Sequence, residues 1–168
     1  MKPLRICTCL LLLGWSQYAV PARADGSVPR PTANRTHWVI NQTANQLDAG
    51  RYDSAQFYLN QGARLVSQRA DAESAFYLSA YQSEVFYHNA LFEQGIQYAL
   101  RGLHQAEGLR DSTMMANQHN LLGLFYTDLG QLAKAIAHLQ RSIHLLPKRP
   151  ASRYGLTNRY HILSNLGQ

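Results

Sequence analysis

The strongest constraint on the fold is a small set of residues that recurs every forty positions. The set is Gly50, Tyr52 and Ala55, then Ala90, Phe92 and Gly95, then Gly130, Leu132 and Ala135. A fixed period of this size is typical of proteins built from stacked copies of one helical or strand-containing unit. We therefore expect copies of a single structural unit, each burying the apolar face of the next.

Residues 116–148 contain the clearest copy of the unit. Apolar residues at helical spacing predict two amphipathic helices, joined at Gly130, which can adopt the positive φ that ends a helix. Pro147 is expected to end the second helix because it has no N–H and clashes with the preceding turn. Close approach of the two backbones is predicted at the small residues Gly123, Ala135 and Ser142, with Tyr126 and Leu139 filling the remaining space.

The order Leu-Gly, Tyr, Gly, Ala, small residue, Pro in this segment resembles the tetratricopeptide (TPR) repeat. The resemblance implies an all-α fold, an α-solenoid of antiparallel helix pairs in a right-handed superhelix. About three repeats plus a C-terminal helix are expected, at residues 36–69, 76–109, 116–149 and 152–166. A forty-residue unit is about six residues longer than the common TPR, which predicts longer helices or longer turns. Asp53, Asp71 and Asp111 are predicted to cap helices.

The first 24 residues are predicted to be a secretory signal peptide. Lys2 and Arg5 form its positive region, residues 6–15 its apolar core, and Ala22-Arg23-Ala24 its cleavage site. The apolar run is shorter than the roughly 20 residues of a membrane span. The alternative is an uncleaved anchor, so membrane association is expected only through this segment. Residues 25–35 are predicted to be a disordered linker and 36–168 the repeat domain, in an exported protein that is periplasmic or secreted.

Cleavage would change the composition of the chain. Both cysteines, Cys7 and Cys9, leave with the signal, which excludes disulfides and thiolate chemistry in the mature protein. Three of the sixteen basic residues leave as well, so thirteen basic residues remain against ten acidic ones. This small surplus makes nucleic acid a poor candidate partner.

No motif in the sequence indicates catalysis or a cofactor. The seven histidines include no H-E-x-x-H motif and no i, i+4 pair, so a zinc site lacks its helical signature. No G-x-S-x-G elbow, phosphate-binding glycine loop or dinucleotide fingerprint is present. We therefore predict no catalytic residue, no metal ligand and no cofactor, and an enzyme is the least supported class of function.

In TPR proteins the first helices of the repeats line a concave groove that binds a peptide or a partner's helix. The groove residues that the resemblance implies are His37, Asp48, Tyr77, Glu84, Tyr87, His88, Asn117, Asn120, Thr127, Asp128, Tyr154 and His161. TPR domains that bind a terminal carboxylate use basic groove residues. The matching positions here include Ala80, Glu84 and Leu124 and no Lys or Arg, so that activity is not expected.

Two functions follow from the resemblance. The first is an exported, non-catalytic module that binds a protein or peptide partner. The alternative is the N-terminal sensory segment of a truncated bacterial sensor kinase or membrane-bound regulator, because extracytoplasmic TPR arrays of such proteins resemble this unit. The last four residues, 165–168, repeat the pattern of the turn at 128–131. The final helix therefore fits both a cap on the stack and an interrupted repeat.

Overall fold

Six α-helices make up the computed structural model, which describes residues 33–68, 71–146 and 167. They are α1 (Ala33–Asp48), α2 (Tyr52–Ser67), α3 (Ala72–His88), α4 (Phe92–Leu109), α5 (Ser112–Asp128) and α6 (Leu132–Leu145). No strand occurs within these ranges, and the predicted all-α class is confirmed. The predicted signal peptide and the whole of the predicted final helix, 152–166, lie outside the described residues. Helix α1 begins at Ala33, so the last three residues of the predicted linker are helical.

The helix boundaries repeat at intervals of forty residues. Helices α3 and α5 begin at Ala72 and Ser112, and α2, α4 and α6 begin at Tyr52, Phe92 and Leu132. Only two residues, 110 and 111, connect α4 to α5. The extra length of the unit therefore lies in long helices. Helices α3 and α5 each begin four residues before the predicted first residues of their repeats, 76 and 116.

The three hairpin turns share one backbone geometry. Gly50, Ala90 and Gly130 have φ values of 67°, 55° and 69°, all in the left-handed region. The N–H of Gly130 donates to the carbonyl of Thr127 (2.9 Å), and the next N–H donates to the carbonyl of Tyr126 (2.8 Å). Equivalent bonds occur at the other two turns. This Schellman pattern satisfies the last carbonyls of the helix and confirms that Gly130 ends α5 with positive φ.

The connections between hairpins are capped by aspartates. Asp71 accepts a bond from the N–H of Ser74 (3.4 Å), and Asp111 accepts bonds from the N–H groups of Thr113 and Met114 (2.8 and 2.9 Å). Both predicted caps are confirmed. The cap predicted at Asp53 is wrong, because α2 begins at Tyr52 and Arg51 is its N-cap residue. Asp53 lies inside the first turn, where its charge still interacts favourably with the helix dipole.

Each hairpin is antiparallel and packs closely at small residues. The Ser142 hydroxyl of α6 donates to the carbonyl of Ala116 at the start of α5 (2.6 Å). Nearer the turn, Gly123 of α5 lies against Leu139 of α6, whose Cγ is 2.6 Å from the position a Cβ would take. As predicted, Gly123 and Ser142 are sites of close helix approach. Both are fully enclosed by the hairpin.

Successive hairpins contact each other along two lines. Helix α2 packs on α3 and α4 packs on α5, while the first helices α1, α3 and α5 also contact their neighbours. The buried core follows these contacts, with Leu47, Leu59 and Val85 in one cluster. Ala99, Leu122 and Phe125 form the next. Because the first helices lie side by side, their remaining exposed faces form one surface.

Candidate functional site

A groove of about 400 Å³ lies between α3 and α5. We call it the central groove. Its lining residues are Phe76, Tyr77, Ala80, Tyr81, Glu84, Tyr87 and His88 from α3, and Asn117, Gln118, Asn120, Leu121 and Leu124 from α5. On each helix the spacing of three or four residues places these side chains on one face. Six of the twelve predicted groove residues, from two different repeats, therefore line one cavity.

The centre of the central groove is acidic. Glu84 is half-buried, and burial raises the pKa of its carboxyl group, with a further increase from the negative charge of Asp48. Asp48 is exposed at the last residue of α1. Among the described lining residues there is no Lys or Arg side chain. Within the part of the chain that the structure describes, no basic group forms an ion pair with either carboxylate.

Tyr87 joins the groove to the core. Its ring meets the fully buried Phe125 ring edge-on, with centroids 5.3 Å apart. Burial, together with a hydrogen bond to the Asp128 carboxylate, raises the pKa of the Tyr87 hydroxyl to about 12. Tyr87 is therefore fixed in position at both its ring and its hydroxyl group, and its hydroxyl stays neutral at physiological pH.

His88 closes one end of the groove by stacking. Its imidazole lies on the ring of Tyr52 from α2, with centroids 4.2 Å apart and planes 17° apart. Burial lowers the pKa of His88, because the charged imidazolium is disfavoured there. The side chain is therefore largely neutral near pH 7 and presents a flat aromatic surface.

The remaining predicted residues lie apart from the cavity or outside the described chain. His37 is exposed on α1. The pKa of the Asp71 carboxyl group is lowered mainly by its hydrogen bond with the Ser74 hydroxyl, and the charge of His37 makes the smallest contribution. Asp48 and Asp128 lie at the ends of α1 and α5 and act on the groove through Glu84 and Tyr87. The Thr127 hydroxyl donates to the carbonyl of Gly123 within its own helix (2.9 Å). Tyr154 and His161 lie outside the described residues.

Four lining residues, Phe76, Tyr81, Gln118 and Leu121, were not predicted. Tyr81 follows Tyr77 by one helical turn, and their rings lie 6.0 Å apart, so helical spacing is a signal that finds it. Gln118 is 2% exposed, and its buried Oε1 has no hydrogen-bond partner among the described residues. This atom lies close to Gly102 of α4. The close approach of α4 and α5 that places it there is not visible in a local pattern.

A pair of histidines in the third hairpin was also missed. Nδ1 of His119 on α5 lies 3.0 Å from Nδ1 of His138 on α6, so one ring donates and the other accepts. Burial is the main cause that lowers the pKa of His119 to about 4, followed by the charges of His138 and Arg141. The pKa of His138 is lowered too, by burial and then by Arg141. The predicted close approach at Gly123 and Ala135 sets a hairpin register in which residues 119 and 138 lie opposite each other. This register is the sequence signal from which the pair could have been predicted.

Neither a metal-binding cluster nor a membrane-spanning helix occurs among the described residues. Across residues 33–68 and 71–146, no group of three or more His, Cys, Asp or Glu side chains is arranged to hold a metal ion. None of the six described helices has the length and apolar character needed to cross a bilayer.

Comparison with protein-family models, with curated proteins and with solved structures found no match to this chain.

Proposed function

We propose that the chain is an exported, non-catalytic TPR-like solenoid whose central groove binds a segment of a partner protein. The forty-residue recurrence of helix starts and hairpin turns supports a repeat array. The order of small and aromatic residues in the third hairpin supports the TPR type. The sequence of residues 1–24 supports export.

The observation that carries the proposal is the convergence of α3 and α5 on one cavity. Tyr77, Tyr87 and His88 provide flat apolar surfaces with polar edges, which suit peptide binding because few rotatable bonds are ordered. Asn117 and Asn120 carry amide groups that both donate and accept hydrogen bonds, as the backbone of an extended peptide does. This combination is typical of a site for a polypeptide.

A groove-filling variant tests this function without disturbing the core. Tyr87→Ala would be ambiguous, because Tyr87 also packs against Phe125. Ala80 is half-buried and lines the cavity, so Ala80→Trp is expected to occupy the groove and leave the hairpins folded. Leu100→Trp is the matched control, because Leu100 is exposed on α4 and does not line the groove.

The measurement is recovery of envelope proteins on the immobilised full-length chain, quantified by mass spectrometry. We expect at least one protein to be captured by the wild type and by Leu100→Trp. Recovery with Ala80→Trp should fall about tenfold, since steric exclusion of a bound segment removes its contacts. Equal recovery with all three chains, with unchanged circular dichroism, would contradict the proposal.

A further inference from the structure

The carboxylates at the central groove have no ion-paired cation among the residues that the structure describes. Glu84 lines its centre, and Asp48 and Asp128 stand at the ends of the flanking first helices. The equivalent end position on α3 is His88, which is largely neutral near pH 7. Among residues 33–68 and 71–146, the one ion pair within 4.0 Å joins His104 and Glu107 on α4. None of the three carboxylates at the groove therefore forms an ion pair with a described residue.

The carboxylates of Asp48 and Glu84 repel each other. Asp48 opposes ionisation of Glu84, and partial burial of Glu84 adds to the effect. A positive charge placed beside Glu84 would reverse both effects, since it attracts the two carboxylates and replaces lost hydration. A neutral or acidic ligand would leave the repulsion in place or increase it.

The walls of the groove suit the stem of a cationic side chain. Tyr77 and Tyr87 border Glu84, and the long aliphatic stems of Lys and Arg pack well on aromatic rings while the charge faces outward. Tyrosine rings in this chain also receive the cation itself. The guanidinium carbon of Arg101 lies over the ring of Tyr98 and the ammonium nitrogen of Lys134 over the ring of Tyr126, each 5.2 Å from the centroid.

We propose that the occupant of the central groove is an extended segment of a partner protein that carries Arg or Lys, with its cation beside Glu84 and Asp48. This inference rests on the proposed function, because it names the chemistry of the segment that the groove binds. The cavity, the absence of Lys and Arg from its lining and the facing carboxylates support it together.

Selection from a random octapeptide phage library on the immobilised full-length chain tests the charge preference. The four chains are the wild type, Glu84→Gln, Ala80→Trp and the control Glu107→Gln, which removes an exposed carboxylate from α4. The wild type and Glu107→Gln should enrich peptides with Arg or Lys. One selected peptide is then synthesised with its Arg retained or replaced by Gln, and binding is measured by fluorescence anisotropy.

We expect Glu84→Gln and the Arg-to-Gln peptide each to weaken binding about tenfold, and the two changes together to add little more, as for two partners of one charge pair. Free arginine amide, added as a competitor at equal concentration, should not displace the peptide. Displacement by arginine amide would overturn the inference of a peptide segment in favour of a small cation.

Two other results have separate meanings. Selection of neutral or acidic peptides that Ala80→Trp fails to bind would overturn the charge inference and leave the proposed function standing. Failure to select any peptide that distinguishes the wild type from Ala80→Trp would remove the peptide-binding function, and the inference with it.

Discussion

The second and third hairpins, α3–α4 and α5–α6, share a backbone geometry. They differ in which helix provides the serine that hydrogen-bonds to the other helix. In α3–α4 the first helix carries Ser83, whose hydroxyl donates to the carbonyl of Gly95 (2.7 Å). In α5–α6 the serine is Ser142 on the second helix, and it donates back to the carbonyl of Ala116 (2.6 Å). Gly123 lies forty residues after Ser83, and Gly102 lies forty residues before Ser142. The repeat therefore conserves small size at these positions, and either helix can supply the bond.

The glycines of the two hairpins also accommodate side chains from different hairpins. Gly123 of α5 leaves space for Leu139 of the same hairpin. Gly95 of α4 leaves space for the Phe125 ring, which comes from the next hairpin. Gly123 thus serves packing within the third hairpin, whereas Gly95 serves packing between the second and third hairpins through a fully buried aromatic ring. Four predictions test this contrast.

The largest expected effect is acid destabilisation specific to the third hairpin. The folded pKa of His119 is about 4, below the ordinary value of 6.5, so the unfolded chain binds the proton first as pH falls. The contribution of neutral His119 to stability is fully present above about pH 6.5. It is lost between about pH 6.5 and pH 4, where the free energy of unfolding decreases by about 3 kcal/mol. The groups facing the pair are Tyr126, stacked on His138, and Arg141, whose charge also disfavours protonation. The second hairpin has Ser79 and Tyr98 at the equivalent positions.

Urea unfolding at pH 7.5 and pH 4.0 measures this effect. The double variant His119→Gln with His138→Gln should lose most of the difference between the two pH values. His104→Gln, at an exposed site on α4, should retain it. The same pH dependence in all three chains would show that other groups cause it.

The next largest effect is expected at Gly95. A Cβ there would overlap the Phe125 ring, which is fully buried and has no room to move. We expect Gly95→Ala to lower the free energy of unfolding by about 2 kcal/mol, because overpacking outweighs the gain in helix propensity. Gly108→Ala is the matched control on the same helix, since nothing lies within 4 Å of its Cβ position. Gly108→Ala should raise stability slightly, and a similar loss from both variants would refute the proposed packing role.

A reciprocal exchange at the turns should change stability by about 1 kcal/mol in opposite directions. Ala90 and Gly130 occupy equivalent left-handed positions, with φ values of 55° and 69°. Alanine is strained there and glycine is not, so Ala90→Gly should stabilise and Gly130→Ala should destabilise. Thermal unfolding of the two single variants and the double exchange checks this. If Ala90→Gly is destabilising, the left-handed turn does not form at Ala90 in solution.

The smallest effects are expected from the two serines. Removing the hydroxyl in Ser83→Ala or Ser142→Ala deletes one buried hydrogen bond, while each carbonyl keeps the option of its helical partner. A loss of about 0.5 to 1.5 kcal/mol is expected in each case. Equal losses in chemical denaturation would support the exchange of roles between hairpins. A loss confined to one serine would show that only one hairpin depends on this bond.

The sequence is a good guide where structure depends on local chemistry. The forty-residue period predicts the hairpins, Gly130 predicts its turn, and Asp71 and Asp111 predict their caps through short-range hydrogen bonds. Asp53 was mispredicted because the cap position depends on where the turn delivers the chain, and the N-cap residue of α2 is Arg51, two residues earlier. Tyr77, Glu84 and Asn120 are groove residues that the resemblance to the TPR repeat implies, and they line the central groove.

Other features depend on how helices meet, which a local pattern does not encode. His119 and His138 are nineteen residues apart and come together only through the register of the hairpin. Glu84 and Asp48 are brought near each other by the contact between α1 and α3. Phe125 inserts against Gly95 because the helices of neighbouring hairpins interlock. In each case the decisive distance is between elements rather than within one.

The two-residue connection between α4 and α5 has a consequence for how such a gene changes length. Because Asp71 and Asp111 begin their hairpins with the same cap, loss of the forty codons from 72 to 111 would join Asp71 directly to Ser112 and preserve the capped junction. The side chains at the new junction would not be complementary, because Gly95, against which Phe125 packs, would be missing. Recombination can thus add or remove whole units without breaking the main chain, but each such event must be followed by substitutions that refit one aromatic ring to one small residue.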